Sequence, residues 1–230
     1  VERVRESPGP LFDGAVTGNF LFSREICGLG DTVQQQAANS FASVGEILDE
    51  RDYSYEDSAI TIIYLTRMED LGNVIPIYKT YVKKGAPCTI AGASALPALS
   101  SNIKTGTICS KGRKDALRIK GLKDDIDFCS DVVVTEGLLF TREIYGIGGR
   151  IKGQISGIFH DLERILKEAG SEPSKIAKLH FHLKDIDHYP LVRRTSREFV
   201  GNEKFCSSSI QVTSLPMENS RIGAWCVARS

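Results

Sequence analysis

The chain has 230 residues, enough for two domains of ordinary size. Its composition, with 41% hydrophobic and 25% charged residues, is typical of a globular protein. Its 29 basic and 29 acidic residues cancel, and no long basic run or basic–aromatic stripe is present, so we expect no nucleic-acid partner. Apolar runs fall short of the roughly 20 residues that span a bilayer, so we expect no membrane insertion.

The start of the chain, VERVRESPGP, is charged and has no apolar stretch typical of a secretion signal. It also lacks a methionine, so we expect that the natural N-terminus precedes it. The six cysteines show neither CxxC pairs nor zinc-ligand spacing, which indicates reduced thiols and not a disulfide framework. These features together predict a cytoplasmic protein that needs no metal and no cofactor.

An internal repeat is the strongest signal in the sequence. Residues 21–30 (LFSREICGLG) reappear as residues 139–148 (LFTREIYGIG), an offset of 118, the difference between 139 and 21. The same offset relates Gln36 to Gln154 and Phe41 to Phe159, and it becomes 119 where Leu96 matches Leu215. Matches in one register over this length predict a tandem duplication of one structural unit.

Each half shows the same succession of predicted elements, ββαβαββ. In the first half, a Thr-Gly-Asn turn at residues 17–19 separates two hairpin strands. Apolar residues at helical spacing predict the first helix, and Asn73 is the expected N-cap of the second, with Pro76 in its first turn. The predicted elements are strands 15–16 and 20–27, helix 32–51, strand 59–66, a helix from residue 73, and strands 89–95 and 103–109.

The second half repeats this order, after the charged stretch 110–127 (SKGRKDALRIKGLKDDID), which we interpret as a linker plus an edge strand. Its predicted elements are strands within 132–145, helix 151–169, strand 178–183, helix 188–200, and strands 208–213 and 221–228. The sequence thus predicts an α+β protein with domains at residues 1–112 and 113–230. Each domain is a two-layer sandwich whose second sheet face needs a cover.

Several motifs resemble the YjgF/RidA (reactive-intermediate deaminase) family, once per half. The matching residues in the first half are Gly9-Pro10, Gly18-Asn19, Gln36, Tyr78, Tyr81 and Leu96-Pro97. The resemblance implies a chorismate-mutase-like fold in which three ββαβαββ units pack their sheets into a trimeric barrel, with ligands in the clefts between neighbouring units. With two units per chain it implies a homotrimer with a pseudo-hexameric arrangement of two stacked rings.

The residues that this family uses for imine deamination are changed in both halves. The replacements are Cys88 and Ser207 for the arginine that holds the substrate carboxylate, Leu11 and Cys129 for a tyrosine, and Lys104 and Gly223 near the water-positioning glutamate. We therefore do not expect ordinary 2-iminopropionate deaminase activity.

Both halves carry an Arg-Glu pair, in Ser23-Arg24-Glu25 and in Thr141-Arg142-Glu143, where the family has Ser-Gly-Gln. One interpretation is a structural ion pair that is repeated with the repeat. The other is that the arginine replaces the lost carboxylate ligand, because a planar guanidinium binds a carboxylate through two hydrogen bonds. The neighbouring glutamate would then act as a general acid or base.

Two cysteines occupy family ligand positions. Cys88 follows Pro87, and a buried cysteine usually behaves as a small hydrophobic residue. Alternatively Cys88 is a nucleophile, which requires a nearby cation such as Arg24 or Arg142. Cys129, at the tyrosine position, leaves the same two interpretations open.

Two histidines, His180 and His182, alternate along a predicted strand and therefore point to one face. Such a pair is half of a metal site. Their repeat partners are Ile62 and Tyr64, however, which predicts core or helix-facing positions instead of metal binding.

The leading functional hypothesis is an enzyme that acts on a small carboxylate-bearing carbonyl, imine or enamine metabolite, by hydrolysis or water-assisted rearrangement at an inter-domain cleft. The alternative is a non-catalytic family member that binds a small molecule or a partner protein. An RNA-acting member is a third possibility, against which the neutral charge argues. The predicted catalytic residues are Cys88, Glu25 and Glu143, and the predicted substrate-binding residues are Arg24, Arg142, Ser23, Thr141, Ser207 and Cys129.

Overall fold

A computed structural model of the chain describes residues 2–6, 12–83, 85–124 and 126–230. This part of the chain forms two mixed α+β units, one in each half. Residues Gly9, Pro10 and Leu11, which contribute to the family resemblance, lie outside the described residues. None of the described helices combines the length and the apolar character that a bilayer crossing requires.

Both units have the same order of elements, which confirms the α+β class. The first unit contains β1 (Glu2–Glu6), β2 (Phe12–Thr17), β3 (Phe20–Ser23), β4 (Ile26–Cys27), α1 (Val33–Asp49), β5 (Ser58–Leu65), α2 (Leu71–Tyr81), β6 (Cys88–Gly92) and β7 (Ile103–Ser110). The second unit contains β8 (Asp115–Leu117), β9 (Val132–Thr135), β10 (Leu138–Thr141), β11 (Ile144–Tyr145), α3 (Ile151–Glu168), β12 (Ile176–Leu183), α4 (Tyr189–Val200), β13 (Cys206–Gln211) and β14 (Ile222–Arg229). Strand β8 is the edge strand expected within the charged stretch.

The two sheets share one topology. The strand order is β1-β2-β3-β7-β5-β6 in the first unit and β8-β9-β10-β14-β12-β13 in the second, with β4 beside β7 and β11 beside β14. Only β5–β6 and β12–β13 are parallel among the described pairs. Parallel neighbours need a crossover connection, and α2 and α4 provide it. In both strand orders the parallel strand, β6 or β13, is the last strand of its sheet.

The first helix of each unit follows the sequence pattern closely. In α1 the apolar stripe is buried, and Thr32 caps the helix through a reciprocal capping box with Gln35. Residue Phe41 of this stripe contacts aromatic rings from three directions, those of Tyr55, Tyr78 and Tyr81. The core of the first unit therefore lies between α1, α2 and one face of the sheet.

The second helix of the first unit begins earlier than expected. A 3₁₀ turn at Met68–Asp70 continues directly into α2 at Leu71, so the expectation that Asn73 caps this helix is wrong. As a result Pro76 lies inside the helix and not in its first turn.

The two sheets meet through the faces that are opposite to their helices. A small apolar cluster joins them, with Phe140 of β10 only 2% exposed and its ring centroid 6.0 Å from that of Phe20. The buried members of this cluster are Ala59, Ile60, Val133, Phe140 and Trp225. Part of the inner sheet face that the sequence left without a cover is therefore covered by the other unit.

The outer edge of β6 is also bonded to the second unit. Gly92 N–H donates to the Ser214 carbonyl (2.8 Å), Thr213 N–H donates to the Gly92 carbonyl (3.0 Å), and Glu143 N–H donates to the Cys88 carbonyl (3.1 Å). The two units of one chain are therefore neighbours. In the expected homotrimer each of the two rings contains one unit of every chain. If the two neighbouring units of one chain instead belong to the same ring, the third unit of that ring must come from another chain. The homotrimer stays a prediction.

Two phenylalanines at equivalent positions of the repeat differ in burial at the interface between the sheets. Replacing each by alanine should therefore lower the free energy of unfolding by different amounts. Phe140→Ala removes a buried ring and should lower the free energy of unfolding by about 3–5 kcal/mol. Phe22→Ala, the repeat counterpart, removes a ring that is 40% exposed and should cost about 1 kcal/mol. Urea unfolding of both variants measures the difference. Equal costs would show that the two sheets do not pack through Phe140.

Candidate functional site

The two histidines of β12 lie on the inner face of the second sheet. Along this strand Leu179 and Phe181 point into the core beneath the helices, so alternation turns His180 and His182 to the opposite face. The expectation of helix-facing positions is therefore wrong, whereas a buried position is confirmed for His182, which is 0% exposed. The expectation relied on Tyr64 as the repeat partner of His182, yet Tyr64 also lies on the inner face, where its ring meets that of His182.

Four side chains form a continuous hydrogen-bonded chain on this face, which we call the relay: Glu143, His182, His180 and Ser208. The Oε1 atom of Glu143 lies 2.6 Å from Nδ1 of His182. The Nε2 atoms of His182 and His180 are 3.2 Å apart. At the far end, Nδ1 of His180 lies 2.6 Å from Oγ of Ser208.

The relay has one self-consistent pattern of protons when both imidazoles are neutral and Glu143 is a carboxylate. A carboxylate only accepts, so Nδ1 of His182 carries a proton and its Nε2 is an acceptor. Nε2 of His180 must then donate to it, which leaves Nδ1 of His180 to accept from the Ser208 hydroxyl. Every link then has one donor and one acceptor, and a proton from Ser208 can move along the relay toward Glu143.

The Glu143 carboxylate is fully buried at the junction between the two units. Its Oε2 accepts from the backbone N–H of Ile90 in β6 of the first unit (3.1 Å). The Tyr145 hydroxyl lies 3.3 Å from Oε2 and 3.1 Å from the Ile90 carbonyl, and its single proton is divided between these two acceptors. Together with His182, Ile90 gives the carboxylate two full donors. A buried charge is tolerated when it is hydrogen-bonded in this way.

Room for this carboxylate depends on Gly223. A Cβ built at Gly223 would lie 2.0 Å from Oε1 of Glu143, well inside van der Waals contact. The equivalent residue of the first unit is Lys104, which instead pairs with Glu25 at 2.9 Å. A glycine in one repeat and a lysine in the other therefore direct two equivalent glutamates to different partners.

Residue His180 is half-buried and lies between Trp225 and the second histidine. The indole of Trp225 stacks on its ring with centroids 5.3 Å apart, and Nζ of Lys178 lies 5.2 Å from the Trp225 ring centre. Burial, followed by His182 and Lys178, lowers the pKa of His180 to about 3. The imidazole is therefore neutral near pH 7 and available as an acceptor.

The first unit contributes Tyr64 to the same place. Its hydroxyl lies 3.4 Å from Nε2 of His182, a long contact, and Nζ of Lys104 lies 4.8 Å from its ring centre. Burial, followed by the charges of Glu25 and Glu143, raises the pKa of Tyr64. The site is thus shared between both units.

Arg142, which the sequence predicts to bind a substrate carboxylate, uses its hydrogen-bond donors for partners inside the protein. Its Nε donates to Asp131 (2.6 Å), and its two terminal nitrogens donate to the Asp124 carboxylate (2.7 and 2.9 Å). Two backbone carbonyls, of Glu143 and Asp124, accept the remaining N–H groups. Burial lowers the pKa of Arg142, but the bonds and charges of both aspartates outweigh this and raise it. Because all five donors are used, Arg142 has none left for a substrate.

The other predicted residues of these segments have structural or exposed positions. In the first unit Arg24 is half exposed and pairs with Asp13 at 2.6 Å, and Glu25 pairs with Lys104. The hydroxyls of Ser23 and Thr141 each accept a backbone N–H from a neighbouring strand at 2.9 Å. Of the predicted set, the structure brings only Glu143 together with the relay.

The two predicted cysteines are buried beneath the junction. Burial, with Cys129 and Glu143 nearby, raises the pKa of Cys88 well above its ordinary value. Burial also raises the pKa of Cys129 to about 12, although Arg142 opposes this. A protonated, inaccessible thiol is a poor nucleophile, so the geometry favours the packed-thiol interpretation. Ser207 is instead exposed on β13 and lines a cavity of about 930 Å³ beside α4.

Sequence reasoning missed the partners that complete the site. It noticed the alternation of His180 and His182 but assigned them no role, and it did not single out Ser208 or Trp225. The available signal was divergence between the repeats, because Tyr64, Ile62 and Thr89 stand where the second unit has the relay residues. Among the described residues no group of three or more side chains is arranged to bind a metal ion.

Comparison with known proteins gives a family match for the second unit. Residues 130–229, nearly the whole second unit, match the family model described as Endoribonuclease L-PSP. A RutC family protein of Pyrococcus abyssi is 26% identical over 72 residues, which are 31% of this chain and 57% of that protein. The chain thus covers little more than half the length of this curated relative.

Two solved structures give the scale of the structural similarity. A member of the YjgF/YER057c/UK114 family from Mycobacterium tuberculosis has 17% identity and a TM-score of 0.47, covering 51% of this chain and all of its own. Yeast Mmf1 has 17% identity and a TM-score of 0.48, covering 51% of this chain and 99% of its own.

The second unit defines the class of protein, an α+β domain of the Endoribonuclease L-PSP type. The family match is thus a statement about residues 130–229, one of the two units of this chain.

The repeat offers a matched test of the buried ion network. Arg142→Met leaves two buried aspartates without their cation and should lower the free energy of unfolding by about 3–5 kcal/mol. Arg24→Met, at the equivalent half-exposed position, should cost at most about 1 kcal/mol. Urea unfolding compares them, and similar costs would contradict a structural role that is specific to Arg142.

Proposed function

We propose that this chain is a divergent family member that hydrolyses a small carboxylate-bearing carbonyl, imine or enamine metabolite, with its acid–base chemistry at the relay between the two units. The observation that carries this proposal is the unbroken hydrogen-bonded line from the buried Glu143 through His182 to the half-buried His180. An imidazole held by a carboxylate is the common arrangement of a general base.

Three features of the surroundings support this role. The outer end of the relay is accessible, because Ser208 and His180 are half-buried and the flanking Cys206 and Ile210 are exposed. The cation Lys178 lies on the same strand and face as His180, where it can bind a substrate carboxylate as a point charge. The aromatic ring of Trp225 beside His180 provides an apolar wall.

A second candidate function is non-catalytic binding of a small molecule or a protein. The observation that favours it is the filled junction at the family's ligand position, where Cys88, Cys129 and the Arg142 network leave buried protein groups in contact. All six cysteines are free thiols, which fits the proposed cytoplasmic location.

Variants of the relay test the enzymatic proposal. Glu143→Gln keeps the side-chain shape but removes the charge, and Gly223→Ala drives the carboxylate away from His182. Each should lower turnover by about 10²-fold or more, the usual size of a general acid–base contribution. Glu25→Gln, the repeat counterpart on the other side of the junction, should leave turnover near the wild-type rate.

The assay follows hydrolysis of small 2-imino-, 2-enamino- and ester-bearing carboxylates by NMR, with thermal unfolding as the check that each variant folds. Equal losses from Glu25→Gln and Glu143→Gln would contradict the assignment to the relay. Absence of turnover for every compound, with saturable binding of one of them, would favour the non-catalytic function.

A further inference from the structure

We propose that Ser208 is a nucleophile that forms a covalent acyl intermediate with small esters or thioesters of carboxylic acids. This inference deepens the proposed function and rests on it, because the same relay activates the serine. It adds a covalent step and a chemical class of substrate, those with an alcohol or thiol leaving group.

The position of Ser208 differs from that of its neighbours on β13. The register of β12 with β13 pairs Ser208 with His180, so both side chains lie on the inner face, and Oγ is 2.6 Å from Nδ1 of His180. Alternation turns Ser207 and Ser209 to the other face. Only the central serine of the three therefore has an imidazole as its acceptor within the described part of the site.

The relay balances the protons of the reaction. Oγ of Ser208 attacks the ester carbonyl carbon, and its proton passes to Nδ1 of His180 while the Nε2 proton of His180 passes to Nε2 of His182. The resulting imidazolium is held against the Glu143 carboxylate. When the carbon–oxygen or carbon–sulfur bond breaks, the leaving alcohol or thiol takes a proton back through His180. Water then cleaves the acyl-serine by the same route, releasing the acid.

The open edge of β13 offers a donor for the developing oxyanion. The Val212 N–H donates to Leu183 of β12, so alternation directs the N–H of Ser209 away from β12, toward the edge of the sheet. Its counterpart in the first unit is Ile90, by the offset of 119 that relates Leu96 to Leu215, and the Ile90 N–H binds a carboxylate oxygen of Glu143. The equivalent group in the second unit can bind an anionic oxygen of the substrate in the same way.

Of the two units as the structure describes them, only the second carries this arrangement. In the first unit Thr89 stands at the position of Ser208, is 1% exposed, and lies opposite Ile62 in place of a histidine. The second unit covers the edge of β6 there, whereas β13 ends its sheet. Thr89 is therefore a matched control, a hydroxyl at the equivalent position with neither a base nor access.

The test uses the full chain with two probes, the phosphorylating agent diisopropyl fluorophosphate and the ester p-nitrophenyl acetate. We expect one phosphoryl adduct per chain, mapped by peptide mass spectrometry to Ser208, and a burst of p-nitrophenol from acylation. Ser208→Ala should lose both, and His182→Gln should slow labelling by about 10²-fold because it acts only through His180. Thr89→Val should behave as wild type.

Each outcome decides the matter. No adduct, or an adduct on another residue, overturns the proposal without needing any variant to fold, and so does labelling that His182→Gln leaves unchanged. In a further outcome Ser208 is unlabelled while Glu143→Gln and Gly223→Ala still lower the rate of hydrolysis of the imine carboxylates. That result would support the acid–base role of the relay and reject Ser208 as a nucleophile. If those two variants have no effect on any substrate, the proposed function falls as well.

Discussion

The buried carboxylate of Glu143 is the constraint on which the site depends. It accepts from Ile90 of the first unit and from His182 of the second, so one charged group joins the edge of β6 to the inner face of the other sheet. Burying a charge is costly unless it is hydrogen-bonded, and these hydrogen bonds require both units in place. The contact with Nδ1 of His182 fixes which nitrogen of His182 carries its proton, and through it the proton pattern of the whole relay.

Divergence between the repeats explains why the site exists once. The repeated Arg-Glu segment places two glutamates equivalently, but Lys104 holds Glu25 toward solvent, while Gly223 leaves room for Glu143 to turn inward. Buried aspartates occupy the donors of Arg142, so the family's carboxylate-binding role has no obvious successor in this segment. With one topology in both units, the exchanged side chains leave Arg142 in a structural ion network and assemble the relay beside it.

Sequence reasoning recovered the parts that depend on local pattern. The ββαβαββ order of each half and the buried stripe of α1 follow from spacing alone, whereas the start of α2 was missed because a 3₁₀ turn continues into it. The site was harder because its partners are distant in sequence: Arg142 meets Asp124 and Asp131, and His180 meets Trp225 across the sheet. The packing of the two sheets decides which side chains of β12 face the other unit. The repeat comparison did not reveal this, because Tyr64, the partner of His182, was itself assumed to face the core or the helices.

The central claim is that both imidazoles of the relay are neutral beside the Glu143 carboxylate, with the protons ordered from Ser208 toward Glu143. Ring-nitrogen NMR of ¹⁵N-labelled protein, from about pH 8 to about pH 4, tests it most directly, with His180→Asn for assignment. The account predicts that His180 stays neutral with its proton on Nε2, consistent with a pKa of about 3, and that neutral His182 carries its proton on Nδ1. A neutral His180 that carries its proton on Nδ1 could not accept from Ser208 and would contradict the account.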